Sequence, residues 1–507
     1  MEDTPQPSLP SEHFLNLPRP DIIIGGGEGV VDTTTLAAHD FDVDTRTGFM
    51  PPDPPIARLP EEWEPWEVIL EKAMKGKLQL AIKQALSTEE AAMSAAWRAQ
   101  VRQLPILSTR RLAPSELLLR RAHHVLTYIM HFYIHTLPLT DRVLVPMPIS
   151  IPLLRVSRHL QLPPVATYSD TVLYNWGFRM PPSTRMDVDM GVDIGIKGYG
   201  NTLPCAPALD NLRSQDLFTG TPDEEAFYLS SARIELRGVE ALDLMRATMD
   251  EMFVGDEIAV RRITLYLGRL AEVVHDLVGI LMDVRKECDP DIFYRRVRPW
   301  FCGQDADPAG REWEFEGVGV GQGVREWDIE GDGNGDDLEK PEDLSGPSAG
   351  QSAFIHALDI FLGLDNCTQG GTHTQPPSQS DARTLLRRMQ IYMPRHHRAF
   401  LRHLTANPRP VRTLVERGNP ELVGAYNQAV GAVKAFRDAH IRIVAIYIVG
   451  PASRERLDDG KGGDEKGGGL REGIRQAALR GTGGTQLVQF LKGVRDKTAE
   501  ALVPTAP

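Results

Sequence analysis

Cysteine is scarce. The four in 507 residues, Cys205, Cys288, Cys302 and Cys367, share no CxxC spacing, which excludes a disulfide framework and a structural zinc module and points to a reducing compartment. Positive charge is also in deficit: 56 Lys and Arg against 69 Asp and Glu leave −13, with a sequence pI of about 5.6. A surface built for nucleic acid or for an anionic membrane is excluded by that balance. Long apolar runs are missing too. The apolar stretch 443–449 is far shorter than the roughly 18 residues a membrane span needs. Residues 1–38 carry six acidic side chains and one basic one, Arg19, so neither a signal peptide nor a transit peptide is expected. With 41% apolar residues the chain can bury a core, and the expectation is a cytoplasmic monomer acting on a small molecule, with no nucleic acid and no membrane as partner.

Low complexity is confined to three places. Residues 1–38 are rich in Pro, Gly and Thr and read as a mobile, disordered tail. Within them DIIIGGGEG (21–29) resembles a strand and phosphate turn, but the VVDTTT that follows is β-branched and opens no helix, so a flexible glycine turn is the reading. The acidic, Gly-rich insert 317–346 and the insert 454–471 with its DDGKGGDEKGGG are expected as flexible loops, because such compositions cannot bury enough apolar surface to order themselves.

Elsewhere the text is helical. From 63 to 135, stretches such as EEWEPWEVILEKAM, TEEAAMSAAWRAQV and SELLLRRAHHVLTYIMHFYIH repeat apolar residues at three and four spacing. VLVPMPISIPLLRVSRHLQLPP (143–164) cannot be one helix because of its prolines. Further on, helices are expected over 223–251, 255–286, 381–403 and 420–448. The fold class is mainly α: a small, mostly helical N-terminal domain with minor β, 39–215, packed on a larger all-helical domain, 216–507, with the boundary between about 205 and 222.

Candidate metal ligands are weak. His131 and His135 lie at i and i+4, but HFYIH lacks the metalloprotease glutamate, so both read as packed or surface histidines. His396, His397 and His403 stand among Arg395, Arg398 and Arg402 and read as a solvated basic face. Asp328, Glu330, Asp332, Gly333, Asp336 and Glu339 nearly spell a calcium loop, but Glu at its third position and a Gly-rich approach favour a solvated acidic loop.

The stretch AYNQAVGAVKAFRDAHIRIVAIYIVG is more specific. Tyr426, Val430, Val433, Phe436, His440, Ile443 and Tyr447 form one apolar stripe containing a single imidazole. Arg437, one turn earlier on nearly the same face, needs an anion there. This run resembles the proximal-haem helix of the indoleamine 2,3-dioxygenase family. Other stretches resemble that family in the same order: TGFMPPDPPIARLP (47–60), ATYSDTVLYNW (166–176), FYLSSARIE (227–235), IFYRRVRPWFCG (292–303), SGPSAGQS (345–352) with RRMQIYMPRHHRAFL, and GTGGT (481–485). Together they cover roughly 39–500, less the inserts. Thr171 and Pro347 depart from the family pattern, which has cysteine and glycine there.

The resemblance implies a haem-binding large domain and a site residue by residue. His440 would be the proximal ligand of a haem b iron, ferrous when active, and Arg437 would pair with a propionate. Phe293 would stack on an indole and Arg298 would grip the carboxylate of L-tryptophan; Pro299 would break the helix so that both converge. Tyr168, Thr171, Phe227 and Ser231 would line the distal pocket, with Ser231 ordering water rather than acting as a nucleophile. Ser348 and Ala349 would form a backbone wall, and Thr482, with Gly483 and Gly484, a closing loop. The implied reaction is oxidative opening of L-tryptophan by dioxygen to N-formylkynurenine, on the route toward NAD, with an electron donor keeping the iron reduced. A low-affinity member with a different physiological flux, and a haem-binding sensor with little turnover, stand as alternatives.

Overall fold

Several helix starts pair a capping side chain with a proline in the first turn, where its missing N–H is not needed. Thr221 accepts from Glu224 N ahead of Pro222, and Asn419 accepts from Leu422 N ahead of Pro420. Ser87 and Glu90 form a reciprocal capping box, at 3.1 and 2.8 Å. The structure is a computed structural model that describes residues 41–82, 86–180, 207–318, 338–364, 382–406, 411–459 and 487–504. Its helices are α1 (Glu64–Lys75), α2 (Thr88–Arg102), α3 (Glu116–His135), α4 (Met147–Leu160), α5 (Pro222–Arg237), α6 (Val239–Val254), α7 (Glu257–Glu287), α8 (Ala353–Phe361), α9 (Ala382–Met389), α10 (Arg395–Ala406), α11 (Val411–Glu416), α12 (Pro420–Val444), α13 (Gly450–Asp459) and α14 (Leu487–Glu500). Strands are short. β1 (Val143–Val145) pairs in parallel with β4 (Trp313–Phe315), and β2 (Trp176–Phe178) pairs antiparallel with β3 (Leu212–Ser214).

Three hydrophobic cores result. The first joins α1 to α4 with Phe293, Trp300, Trp313, Tyr392 and Tyr447. The second lies among α6, α7, α8 and the first half of α12. The third sets Tyr168, Val172, Leu173 and Trp176 against Leu229, Ala232 and Leu236 of α5. Residues from both sides of the expected boundary at 205–222 thus share the first core, and β4 brings the later half of the chain into the minor β element.

The mainly helical class holds, but several elements differ from expectation for identifiable reasons. The helix expected over 223–251 is two helices meeting at Gly238, where a Cβ would lie 2.7 Å from the ring of the fully buried Phe354. The one expected over 381–403 stops before Pro394 and restarts at Arg395. Within 143–164, α4 tolerates Pro152 in its second turn, losing only one backbone bond. The end of the first insert is loop, as expected, but a packed one: Leu338, Leu344 and Ser345 are buried, and Ser345 N donates to the Tyr392 hydroxyl at 3.0 Å. Apolar residues after the Gly-rich stretch reach the first core. Helix α13, by contrast, runs into the start of the second insert. His396 and His397 correct the expected solvated face. Both are buried, His397 edge-on to Phe49 at 4.9 Å and bonded through Nε2 to the Asp42 carbonyl at 3.2 Å, whereas His403 is exposed. The tail 1–38, Cys205, Cys367, the acidic residues 328–336 and Thr482 to Gly484 lie outside the described residues.

Gly238→Ala should lower stability by about 1–3 kcal/mol in urea unfolding, since the Phe354 ring has nowhere to retreat. The penalty should shrink in a Phe354→Leu background.

Candidate functional site

Helix α5 gives Ala226 and Tyr228 to the first core, Ile234 to the second, and Leu229, Ala232 and Leu236 to the third. Phe227, Ser231 and Glu235 recur at four-residue spacing, which a helix places on one face, and Phe227 itself packs against the first core. Phe227 meets Phe293 with ring centroids 4.5 Å apart and Phe301 at 5.9 Å, while Phe293 meets Tyr447 edge-on at 5.6 Å. Two of the expected site aromatics are therefore in contact. The backbone carrying Phe293 and Arg298 differs from a helix broken by Pro299. Its α-turn ends at Ile292, a π-turn spans Phe293–Val297, and a 3-10 turn spans Arg298–Phe301, with Pro299 harmless near its start. On an unbroken α-helix these side chains would diverge by about 140°, an offset that the wider π-turn reduces. Arg298 is buried.

The segment 344–352 runs backbone against backbone along this stretch. A methyl group at Gly303 or Gly346 would overlap a carbonyl of the facing segment, and Gln304 N donates to the Leu344 carbonyl at 2.9 Å. Ser348 and Ala349 follow directly, Ser348 capping a 3-10 turn at 3.2 Å from Gly350 N. Gln351 then reaches across: its Oε1 accepts from Tyr168 N at 2.8 Å and its Nε2 donates to the Gly346 carbonyl at 2.9 Å.

Tyr168 and Thr171 belong to the buried segment 166–176, where Tyr168 caps a π-turn over Ser169–Leu173. Thr171 bonds its own backbone, to the Thr167 carbonyl at 3.2 Å. Tyr168 donates its hydroxyl to Glu235 Oε1 at 2.9 Å. His131 ties this segment to the Phe293–Phe301 stretch. Its Nδ1 lies 2.8 Å from the Trp300 carbonyl, and its Nε2 accepts from Ala166 N at 3.3 Å. Only a neutral ring makes both bonds, and burial holds its pKa down at about 4.

His440 sits where the apolar stripe of α12 passes between cores. Tyr426, Val430 and Val433 belong to the second core, Ile443 and Tyr447 to the first. The imidazole between them is half-buried and has no hydrogen-bond partner among the described residues. Burial lowers its pKa to about 4, with no charge opposing. A neutral imidazole with a free lone pair fits the axial ligand of a haem. Arg437 finds a different anion from the one expected: Asp359 of α8 accepts from Nη2 through both oxygens at 2.5 and 2.6 Å, and Thr498 of α14 accepts from Nη1. The guanidinium is satisfied within the protein, so its burial does not itself require a propionate.

Comparison with known proteins agrees with this assembly. The family model described as indoleamine 2,3-dioxygenase matches residues 37–501. The chain belongs to the indoleamine 2,3-dioxygenase family. It is 33% identical to the indoleamine 2,3-dioxygenase of Saccharomyces cerevisiae over 75% of this chain and 77% of that one. It is 28% identical to the indoleamine 2,3-dioxygenase 2 of Homo sapiens, covering 92% and 96%, and 28% identical to a 6-hydroxytryptophan 2,3-dioxygenase of Fusarium equiseti, covering 93% and 99%. The protein is thus a dioxygenase, an oxidoreductase. No helix among the described residues is long and apolar enough to cross a membrane.

Sequence reasoning gave His131 only as a packed or surface histidine and did not single out Gln351, Asp359 or Glu235. His131, Gln351 and Asp359 act through partners far along the chain, which no local spacing reveals. Glu235 had a signal, the four-residue spacing of Phe227, Ser231 and Glu235.

The buried histidines make acid stability testable. His131, His135 and His397 have pKa values held near 4, 3 and 3 by burial, against 6.5 when free. As pH falls below 6.5 the unfolded chain takes up protons that the folded one refuses, so each removes about 1.4 kcal/mol per pH unit. Urea unfolding between pH 6.5 and 5 should show a shallower fall for His131→Gln than for the parent chain. Equal slopes would mean that His131 is charged in the folded state.

Proposed function

We propose that the protein is a haem-dependent dioxygenase that opens the pyrrole ring of L-tryptophan to N-formylkynurenine, a step toward NAD. The observation that carries this is the lone neutral imidazole of His440, which has no hydrogen-bond partner among the described residues and lies on α12 between the residues of two cores. His440 would hold the haem b iron. Arg437 keeps two of its five N–H donors beyond those given to Asp359 and Thr498, and these would serve a propionate. Bound haem supplies the capture and activation of dioxygen, chemistry that no protein side chain offers.

The chain's own residues bind and orient. Phe227 and Phe293 would give the indole an aromatic wall and keep water out. Arg298, buried beside them in the chain, would hold the substrate carboxylate with its fixed fork of donors. Tyr168, Thr171 and Ser231 would line the other side, Ser348 and Ala349 the backbone wall, and Thr482 the closing loop. Ser231 is not assigned as a nucleophile; it would organise polar contacts near the reacting atoms. A cellular electron donor would keep the iron ferrous, and a cytoplasmic monomer fits this role.

Purified ferrous protein given L-tryptophan and dioxygen should form N-formylkynurenine; haem loading without turnover would instead favour a sensor. In Arg298→Ala, loss of one partner of a buried charge pair costs about 2–5 kcal/mol, so kcat/KM should fall ~30-fold to several thousand-fold. The Soret band should be unchanged. Lost haem with near-native kcat/KM would make Arg298 a propionate anchor instead.

A further inference from the structure

One buried carboxyl orders the hydroxyls around the pocket. Glu235 is 1% exposed. Its Oε1 accepts from the Tyr168 hydroxyl at 2.9 Å and from Ser352 Oγ at 2.7 Å, so a single oxygen joins α5, the 166–176 segment and the 344–352 wall. Its Oε2 is buried and has no partner among the described residues. No cation answers it. On the elements around it, Asp170 pairs with His123, Asp359 with Arg437 and Asp276 with Arg237, while His356 bonds the Gly350 carbonyl. Burial therefore pushes the carboxyl up to about 7, and the Ser352 and Tyr168 hydroxyls only partly offset it.

Direction follows from donor inventory. Tyr168 has one proton, and burial together with Glu235 raises its pKa well above the ordinary value, so the phenol stays an O–H donor. That proton goes to Glu235.

We propose that Glu235 is a positioning residue of the dioxygenase site, which holds the Tyr168 hydroxyl and the 344–352 wall to α5 and admits substrate in its uncharged form. This rests on the pocket assignment of the preceding section. The second half follows from linkage: an ionised carboxyl with an unmet oxygen draws water toward it, and a substrate that dries the pocket binds more weakly to that form. The amide of Glu235→Gln keeps the acceptor and cannot ionise, whereas Glu235→Ala removes the acceptor.

The haem-loaded parent, Glu235→Gln and Glu235→Ala would be compared in two measurements. In the infrared, without substrate, the parent should show a protonated-carboxyl band that disappears with a midpoint near pH 7 and is absent from Glu235→Gln. In steady-state kinetics, KM for L-tryptophan in the parent should rise about fivefold from roughly pH 6 to pH 8, and the rise should vanish in Glu235→Gln. Glu235→Ala should raise KM ~tenfold at both pH values, more than it lowers kcat. Absence of a band specific to Glu235, a pH-dependent KM that survives in Glu235→Gln, or a native KM in Glu235→Ala overturns the proposal. No turnover by the parent would defeat the functional reading, and the infrared band would still decide the ionisation of Glu235.

Discussion

Helix α5 is packed against hydrophobic cores on three sides, and the remaining features of the site depend on that. A helix enclosed in this way has little freedom to rotate, because turning it would withdraw side chains such as Tyr228, Leu229 and Ile234 from separate cores at once. Its stripe of Phe227, Ser231 and Glu235 is therefore fixed in direction. The aromatic stretch 293–301 packs on one end of the stripe and the 166–176 segment on the other. The pocket is what lies between elements that are each committed elsewhere.

Polar groups hold those elements in register. Arg121 of α3 bonds Glu67 of α1 at 2.9 and 2.6 Å and Asp216, on the approach to α5, at 2.5 Å; His124 bonds the same Asp216 at 3.0 Å. Burial opposes the charge on Asp216, but His124 and Arg121 keep its pKa well below the carboxylate range. His123 and Thr167 anchor Asp170 in the same way, at 2.8 and 2.7 Å. Glu235 contrasts with both aspartates. It is as deeply buried but lacks a cation, which is why it alone of the three is held near neutrality. Asp216 and Asp170 each have a cationic or imidazole partner, whereas Glu235, like Glu224, is held by neutral donors alone.

Much of this was legible in the sequence. The helical class followed from three and four spacing, and capped starts such as Thr221-Pro222 and Asn419-Pro420 marked where helices begin. The stripe on α12 isolated His440 because an imidazole among Val430, Val433 and Ile443 needs a reason. What stayed hidden is tertiary. Gly238, where two helices meet, has no room for a side chain because Phe354 from a distant segment presses on it. His397 is buried among arginines because Phe49 and Asp42 cover it. Arg437 did need an anion, but the anion was Asp359, 78 residues away, which no local pattern discloses. Residues 338–346 read as loop by composition, yet a few apolar side chains sufficed to seat them.

The central claim is that the gap between cores at His440 is a haem site whose one protein ligand is that imidazole. Haem titrated into His440→Gly, with and without free imidazole, tests it most directly. The account predicts that the variant fails to bind haem stoichiometrically and that added imidazole restores binding and the parent Soret position, because the cavity survives and only the ligand is missing. Full binding by the variant in the absence of imidazole would contradict it.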